Sequence, residues 1–323
     1  MTTLEEPPVL AISAASEARP LTPRRRKRNL RTWVQGGGLS TLVFLLPMLF
    51  VFIIFSWSPI VQSMVMSLQK TNLIETSWVG LQNFEHVFAD PRLPKAVLNT
   101  LYFAGLALLF GFPIPILLAV LMSEVRRGKG LYSALAYLPV VVPPVVAVLL
   151  WKVFYNADAT GPFNTVLSWV GIAPQPWLQS AATAMPSLVL EATWAGAGGT
   201  IIIYLAALTS VNPDLYDAAE IDGANIWKKV RHVTLPQLRS VLLVTFILQI
   251  IGTAQVFLEP FLFTNGGPAN STSTVLLLIY RYAFQNSLGG NYGAATALSV
   301  LLAVFLAAFS LVYFRLTRSW STE

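Results

Sequence analysis

Cysteine is absent from the 323-residue sequence, and histidine occurs only twice. The chain therefore has no disulfides and no thiolate metal sites, and the isolated His86 and His232 do not form a ligand cluster. Charge is also scarce, because 11% of the residues are charged whereas 55% are hydrophobic. A soluble domain of this length carries more charge and less apolar surface. The composition therefore indicates an integral membrane protein whose main solvent is the lipid bilayer.

The motifs of several enzyme classes are missing as well. The chain contains no Gly-X-X-X-X-Gly-Lys-Ser/Thr phosphate loop, no metal-spaced His/Asp cluster and no nucleophile elbow. We therefore expect no catalytic residues, no metal site and no cofactor in this chain. The net charge of +6 lies in short blocks between apolar runs. Such blocks report membrane orientation and do not indicate a nucleic-acid partner.

Apolar runs long enough to cross a bilayer occur six times. A helix needs about 20 residues to span the hydrocarbon core. The predicted spans are 39–67, 97–122, 131–151, 184–209, 240–263 and 291–315. Prolines in or beside these runs, including Pro139, Pro143 and Pro144, predict kinks. The predicted fold class is an all-α integral membrane protein with six transmembrane helices.

The distribution of Lys and Arg predicts the orientation. Sixteen of the 21 lie before the first span, after the last span or in alternate loops, and five lie in the remaining loops. Because cytoplasmic segments are enriched in Lys and Arg, both termini are expected to be cytoplasmic. Residues 1–38 are then a disordered basic tail, 39–318 the transmembrane domain, 210–239 a cytoplasmic loop and 319–323 a second tail.

The cytoplasmic loop 210–239 has a pattern that predicts two short helices. Asn212 can cap a helix whose first residue is Pro213. Gly223 would end that helix, and Asn225 would cap the second one. The loop is therefore predicted to form a compact helical elbow.

Small and large residues are placed differently on this elbow. Ala218 and Ala219 leave a low-profile face, as expected of a knob that enters a cleft in another protein. Ile226 and Trp227 are expected to anchor the elbow against the spans of its own chain. Pro236 fits the first turn of the following span. The elbow is thus predicted to contact a partner protein.

Three residue blocks in this loop occur at a fixed spacing. They are Asp217-Ala218-Ala219, Asp222-Gly223-Ala224 and Val233-Thr234-Leu235-Pro236. They resemble the Glu-Ala-Ala, Asp-Gly-Ala and hydrophobic-X-Leu-Pro signature of binding-protein-dependent ABC importer permeases, with Asp217 in place of the usual Glu and Val230 in place of the usual Phe. The resemblance implies the type I ABC importer transmembrane fold with a cytoplasmic coupling-helix loop. The implied ATPase-coupling residues are Asp217, Ala218, Ala219, Asp222, Gly223, Ala224, Trp227, Leu235 and Pro236.

Further pieces resemble the maltose and glycerol-phosphate type sugar permeases. They are Leu81-Gln82-Asn83-Phe84, Asn99-Thr100, Leu138-Pro139 and Asn265-Gly266-Gly267-Pro268. The resemblance implies a non-enzymatic subunit of the bacterial plasma (inner) membrane that forms half of a translocation path for a carbohydrate by alternating access. The implied partners are a second homologous permease subunit, an extracytoplasmic solute-binding protein and an ATPase dimer, which would bind the ATP and magnesium.

Polar residues within the fourth and fifth predicted spans mark a candidate solute path, because polar groups in hydrocarbon need partners. Residue type alone selects Glu191, Trp194, Gln249, Thr253 and Gln255. Resemblance to the sugar contacts of the maltose-type permease selects Gly196, Gly199, Gln249, Gly252 and Thr253. Hydrogen bonding between helices is the alternative role for the polar ones.

Two other functions stay open at this point. The first is an ABC importer permease for a non-sugar solute, such as glycerol phosphate or a polyamine. The second is a secondary transporter, which would favour inverted repeats and buried ionisable residues near the midplane. Neither feature is clear in the sequence.

Overall fold

The computed structural model of the protein describes residues 38–71, 75–125, 127–285 and 290–318. The predicted tails lie outside the described residues, except for Gly38. The chain divides into two compact units, residues 1–59 and 60–323. In the first unit, residues 38–59 are helical and nearly all of their side chains are exposed. Because these side chains are mostly apolar, their exposure fits a helix that faces lipid.

Helices dominate the described residues. They are α1 (Gly38–Phe52), α2 (Ser58–Met66), α3 (Gln82–Ala89), α4 (Arg92–Leu106), α5 (Pro113–Glu124), α6 (Lys129–Val141), α7 (Pro144–Phe154), α8 (Pro162–Ser168), α9 (Ala181–Thr209), α10 (Asp214–Ile221), α11 (Ile226–Lys229), α12 (Leu235–Ala254), α13 (Val275–Phe284) and α14 (Tyr292–Thr317). Short π-helical segments cover Ile53–Trp57, Ala107–Gly111, Val230–Thr234 and Pro260–Thr264. Strands β1 (Gln69–Thr71) and β2 (Thr76–Trp78) form an antiparallel pair, with Lys70 opposite Ser77.

Five helical stretches of the described chain are long and apolar enough to cross a membrane. They are Leu39–Met66, Arg92–Glu124, Ala181–Thr209, Ile226–Ala254 and Tyr292–Thr317. A sixth span results if the bent pair Gly130–Val141 and Pro144–Phe154 is counted as one. The predicted fold class, an all-α membrane protein with six spans, is confirmed on that count.

The third span is bent by 101° between α6 and α7. Pro143 has no N–H, and its ψ of 134° is extended, so the helical hydrogen-bond ladder cannot pass through it. The Val142 N–H bonds to the Pro139 carbonyl at 3.3 Å and closes α6. Pro144 then begins α7, where its missing N–H would have had no helical partner. The kink predicted from these prolines is thus a full break in the helix.

The fifth span begins and ends earlier than the predicted range of 240–263. It runs continuously from Ile226 to Ala254 through the π-helical segment Val230–Thr234. The Gln255 N–H bonds to the Gly252 carbonyl at 3.1 Å, and residues 256–257 leave the helix. Because these two residues are apolar, the composition of the run does not reveal the break.

Helix α9 is the central helix of the larger unit, and it packs against α4, α5, α6, α7 and α12. Its contact with α6 depends on Gly198, where a Cβ atom would overlap the Ala136 carbonyl oxygen and lie 2.9 Å from a Val140 methyl carbon. The next residue, Gly199, has open space around its Cβ position. Of the four small residues 196–199, Gly198 is thus the one that requires glycine for helix packing.

The loop of residues 265–274 is held in place by side chains of α4. Asn99 Nδ2 donates to the carbonyls of Asn270 (2.7 Å) and Ser273 (2.9 Å). Thr100 Oγ1 accepts the first N–H of α13 at 3.0 Å. These bonds join the start of the second span to the connection between the fifth and sixth spans. Two pieces that are far apart in the sequence therefore form one rigid joint.

A buried carboxylate strengthens the same joint. Asp90 accepts hydrogen bonds from the Arg92 guanidinium at 2.7–3.1 Å and from the Tyr282 hydroxyl at 2.5 Å. The bonds from Arg92, assisted by the bond from Tyr282, hold the pKa of the Asp90 carboxyl well below its usual range. Arg92 also lies 5.3 Å from the centre of the Tyr282 ring. The cluster ties the start of α4 to α13.

We expect Gly198→Ala to destabilise the protein, because the added methyl group overlaps the backbone of α6. Overpacking of this kind costs about 1–3 kcal/mol, which exceeds the gain of up to about 1 kcal/mol from replacing glycine in a helix. Thermal unfolding of the purified protein in detergent measures the effect. Gly199→Ala is the matched control and should keep the native midpoint or raise it. Equal midpoints for the two variants would contradict the close contact.

Candidate functional site

A cavity of about 560 Å³ lies among α4, α5, α9 and α12. Its polar lining residues are Thr193, Thr200, Tyr204, Thr245, Gln249, Thr253, Gln255 and Glu259. Phe103, Phe112 and Phe257 add aromatic surface. Neutral hydroxyl and amide groups beside aromatic rings can bind a solute that is rich in hydroxyl groups.

Five of the eight predicted path residues line this cavity, namely Gly196, Gln249, Gly252, Thr253 and Gln255. Glu191, Trp194 and Gly199 do not. Glu191 is only 2% exposed, and the Trp194 ring packs against Trp151 with 5.5 Å between ring centres. The face of α9 towards the cavity carries residues 193, 196, 197, 200 and 204, which follow the helical repeat. The rotation of α9 therefore turns the three other predicted residues away from the cavity.

Gln249 is the polar side chain best placed to bind a solute. It makes no hydrogen bond to any residue of the described chain. In contrast, Thr253 Oγ1 donates to the Ile250 carbonyl at 3.0 Å, and Gln255 Nε2 donates to the Ile251 carbonyl at 3.2 Å. These two donors are used within their own helix, so the Gln249 amide is the freest hydrogen-bonding group of the predicted set.

The sequence analysis missed Gly111, which lies opposite Gln249. A Cβ atom at Gly111 would lie 3.2 Å from Thr193 Oγ1 and 3.3 Å from Gln249 Nε2. Gly111 ends the π-helical segment Ala107–Gly111, and such segments often mark functional positions. The absence of a side chain here keeps open the space between two polar groups. The sequence signal that could have identified Gly111 is its position within an apolar run, two residues before Pro113.

The elbow in residues 212–225 has the geometry that the sequence predicts. Asn212 Oδ1 accepts the Asp214 N–H at 3.0 Å at the start of α10, and Asn225 Oδ1 accepts the Lys228 N–H at 3.0 Å at the start of α11. Gly223 has a φ of +70°, in the left-handed region that favours glycine. The bonds from the Gly223 N–H to Glu220 and from the next N–H to the Ala219 carbonyl complete a Schellman turn.

The outer face of the elbow is apolar in part. Ile221 is 87% exposed and Trp227 is 71% exposed. The expectation that Trp227 anchors the elbow on its own spans is therefore wrong. Instead, a hydrogen bond of 3.2 Å between the Tyr216 and Thr234 hydroxyls and an ion pair between Glu220 and Lys229 hold α10 against the start of the fifth span.

The same turn determines the exposure of the other predicted coupling residues. Asp217, Ala218, Asp222 and Gly223 are exposed, whereas Ala219 and Ala224 are half-buried in the turn. Leu235 and Pro236 form the first turn of α12, as predicted for Pro236. The exposed members form one surface with Ile221, a residue that the sequence analysis did not select.

The sequence also matches known proteins. Residues 111–321 match the family described as "Binding-protein-dependent transport system inner membrane component". The chain belongs to this family. This assignment confirms the resemblance found in the cytoplasmic loop, and it makes the protein a multi-pass membrane component of a transport system.

Similar permeases include two curated relatives. The arabinooligosaccharides transport system permease protein AraP of Halalkalibacterium halodurans is 32% identical over 90% of this chain and 92% of the relative. The trehalose/maltose transport system permease protein MalF of Thermococcus litoralis is 30% identical over 85% of this chain and 92% of the relative. Among solved structures, a bacterial ABC transporter involved in the import of the acidic polysaccharide alginate has a similar chain. It aligns with a TM-score of 0.77 and 29% identity, over 90% of this permease and 99% of that chain.

We expect Gly111→Leu to reduce solute uptake by about tenfold or more, because the leucine side chain would fill the space between Thr193 and Gln249. Displacement of a bound molecule by about 1 Å already has large effects on rates. Uptake by the assembled importer in proteoliposomes measures this. Gly105→Leu is the control, because the Cβ position of Gly105 in α4 has no neighbour within 4 Å. Normal uptake by the Gly111 variant would show that solute does not pass this point.

Proposed function

We propose that this permease forms half of the translocation path of an ATP-driven importer for a carbohydrate, and that the elbow of α10 and α11 couples the path to a separate ATPase. The exposed elbow carries the proposal. Ile221 and Trp227 present apolar surface on a fixed turn, and exposed apolar residues grouped on a polar element are typical of a protein contact. A rigid element of this kind can transmit the closing motion of the ATPase to the spans.

The carbohydrate assignment is supported by the cavity and by the relatives. The Gln249 amide and the hydroxyls of Thr193 and Thr200 are suited to hydrogen bonds with sugar hydroxyls. The partly exposed rings of Phe112 and Phe257 are suited to contact the apolar face of a sugar ring. The names of AraP and MalF assign arabinooligosaccharides and trehalose or maltose to these relatives. The shared chemistry of these solutes is that of an uncharged polyol.

The assembly that we propose contains three kinds of partner protein. A second homologous permease completes the path, an ATPase dimer binds ATP and magnesium, and an extracytoplasmic solute-binding protein delivers the sugar. One solved relative is a bacterial alginate ABC transporter in complex with an alginate pentasaccharide-bound periplasmic protein. This structure supports delivery by a binding protein as the mode of action of the permease.

We expect Gly223→Asp to lower ATP-dependent sugar uptake, and ATP turnover stimulated by the binding protein, by about tenfold or more, since about 1.4 kcal/mol of lost interaction is enough for this. Aspartate occurs in the left-handed conformation at a modest cost in strain, and nothing in this chain lies within 4 Å of the Cβ position. The elbow should therefore keep its turn, and the loss should arise at the ATPase. The measurement uses the complete importer in proteoliposomes with radiolabelled arabinooligosaccharides and maltotriose.

Gly171→Asp is the matched control for this experiment. Gly171 has a φ of +74° and equally open space, but it lies in the connection after α8. Full uptake by the Gly223 variant, or the same loss in both variants, would refute the coupling role. Failure of the native importer to take up any carbohydrate would refute the assigned solute class.

The orientation that we propose places both termini and the elbow in the cytoplasm of a bacterial cell. It rests on the split of 16 against five Lys and Arg residues. A single cysteine can report each side, because the native chain has none. We expect a membrane-impermeant maleimide added to spheroplasts to label Trp169→Cys and to leave Arg127→Cys unlabelled, since both side chains are exposed. Labelling of Arg127→Cys alone would reverse the orientation, and equal labelling would refute the six-span topology.

A further inference from the structure

The cavity beside Gln249 has an acidic character. Of its lining residues in the described part of the chain, Glu259 is the only one with a charged side chain, and none is Lys or Arg. All the other polar groups on the wall are neutral hydroxyls and amides. A solute in this cavity therefore meets hydrogen-bonding groups and one carboxyl group, but no positive charge from this chain.

A second carboxyl group lies behind the cavity wall. Glu191 is 2% exposed, and its Oε2 atom has no hydrogen-bond partner among the described residues. It is close enough to Glu259 for the two groups to interact electrostatically. Neither carboxyl group forms a salt bridge within the described chain. No cation of the described chain therefore lies beside this pair to attract an anionic solute.

The basic residues that attach to the segment after Glu259 do not reach the cavity. Lys152 Nζ donates to the Leu262 carbonyl at 3.1 Å. The Arg281 guanidinium donates to the Asn265 carbonyl at 2.5 Å. Neither side chain belongs to the cavity wall. Both cations are held by backbone carbonyls, where they cannot pair with an anion beside Gln249.

We propose that this half of the path admits saccharides without net negative charge, and that Glu259 disfavours acidic saccharides such as uronates and sugar phosphates. The inference rests on the proposed transport of carbohydrate. An anionic group that leaves water needs a cation or several donors to replace its hydration. Here it would instead meet no cation and a carboxyl group whose pKa is raised by burial. Once that carboxyl group is ionised, it repels the anion. The neutral amide and hydroxyl groups are sufficient to replace the hydrogen bonds that an uncharged sugar loses when it leaves water.

This charge preference separates the permease from one of its structural relatives. The alginate transporter imports an acidic polysaccharide, although its chain has a similar fold and 29% identity. The trehalose/maltose permease MalF, whose name gives neutral sugars, is also similar to this chain. The fold alone therefore does not set the charge of the solute. We infer that the charge is selected by side chains of the cavity wall, with Glu259 as the specificity-determining residue in this chain.

The test measures the electrostatic potential of the cavity directly. Gly252→Cys places a single thiol on the cavity wall, at an exposed position with no neighbour within 4 Å. The assembled importer is treated with a cationic reagent, trimethylammonioethyl methanethiosulfonate, or an anionic one, sulfonatoethyl methanethiosulfonate. Mass spectrometry of this chain gives the rate of modification by each reagent. Each rate is then divided by the rate at which the same reagent reacts with a small thiol in solution. Gln249→Cys serves as a second position if the first variant does not assemble.

Burial raises the pKa of Glu259, so the rates are measured at alkaline pH, where its carboxyl group is ionised. We then expect the cationic reagent to react at least about tenfold faster than the anionic one, as estimated for a unit charge in a partly desolvated site. Glu259→Gln should reduce this ratio several-fold. Glu85→Gln is the matched control, because Glu85 is an exposed carboxylate on α3 outside the cavity, and it should leave the ratio unchanged. A ratio near one, a preference for the anion, or no reaction at either position would overturn the proposal.

A second measurement separates this inference from the proposed function. Uptake of maltotriose and of trigalacturonate is compared in proteoliposomes at equal occupancy of the binding protein. Faster uptake of maltotriose is the expected result. Uptake of trigalacturonate at the rate of maltotriose, or delivery of acidic sugars alone, would overturn the charge preference and leave carbohydrate transport intact. Uptake of neither these nor any other saccharide would refute the carbohydrate function, whereas the thiol rates would still report the cavity charge.

Discussion

The structure depends on the need of every backbone N–H and C=O group to find a hydrogen-bond partner within the protein when it lies in lipid. Helices meet this need locally, which explains why nearly every apolar stretch of the described chain is helical. An interruption of the regular helix therefore leaves backbone groups without helical partners, and other hydrogen bonds must replace the lost ones. In the larger unit several of these interruptions lie beside the cavity or the elbow.

Three of the π-helical segments illustrate this relation. Ala107–Gly111 contributes both of its terminal residues to the cavity wall. Val230–Thr234 connects the elbow to the fifth span, and Pro260–Thr264 follows directly after Glu259. Each segment changes the direction of side chains without breaking the chain of hydrogen bonds completely. The cavity and the elbow thus obtain their shape from local departures from the α-helix.

Hydrogen bonds between distant segments then fix the spans relative to one another. Asn99 and Thr100 hold the loop 265–274, and Asp90 links Arg92 to Tyr282 on α13. These bonds join the second span to the segment between the fifth and the sixth. Because the cavity is formed by the same spans, the joint gives its walls a firm frame at one end. In the alternating access that we propose, packed helices would then move as units. The side chains on the cavity wall would keep their positions relative to one another.

Many local features were predictable from the sequence, although the bounds of the fifth span were not. Six apolar runs gave the spans, the prolines gave the break in the third span, and Asn212, Gly223 and Asn225 gave the elbow, because capping and left-handed turns depend on neighbours a few residues away. The loop blocks also identified the family and its function as a permease.

Tertiary structure alone decided which face of each helix meets the cavity. The spans are apolar on most sides, so their sequences contain no periodic signal that defines an inner face. Only packing rotates α9 so that Thr193 and Gly196 line the cavity while Glu191 and Trp194 do not. In the same way, the proximity of Gly111 to Gln249 depends on the packing of two helices that are distant in the sequence.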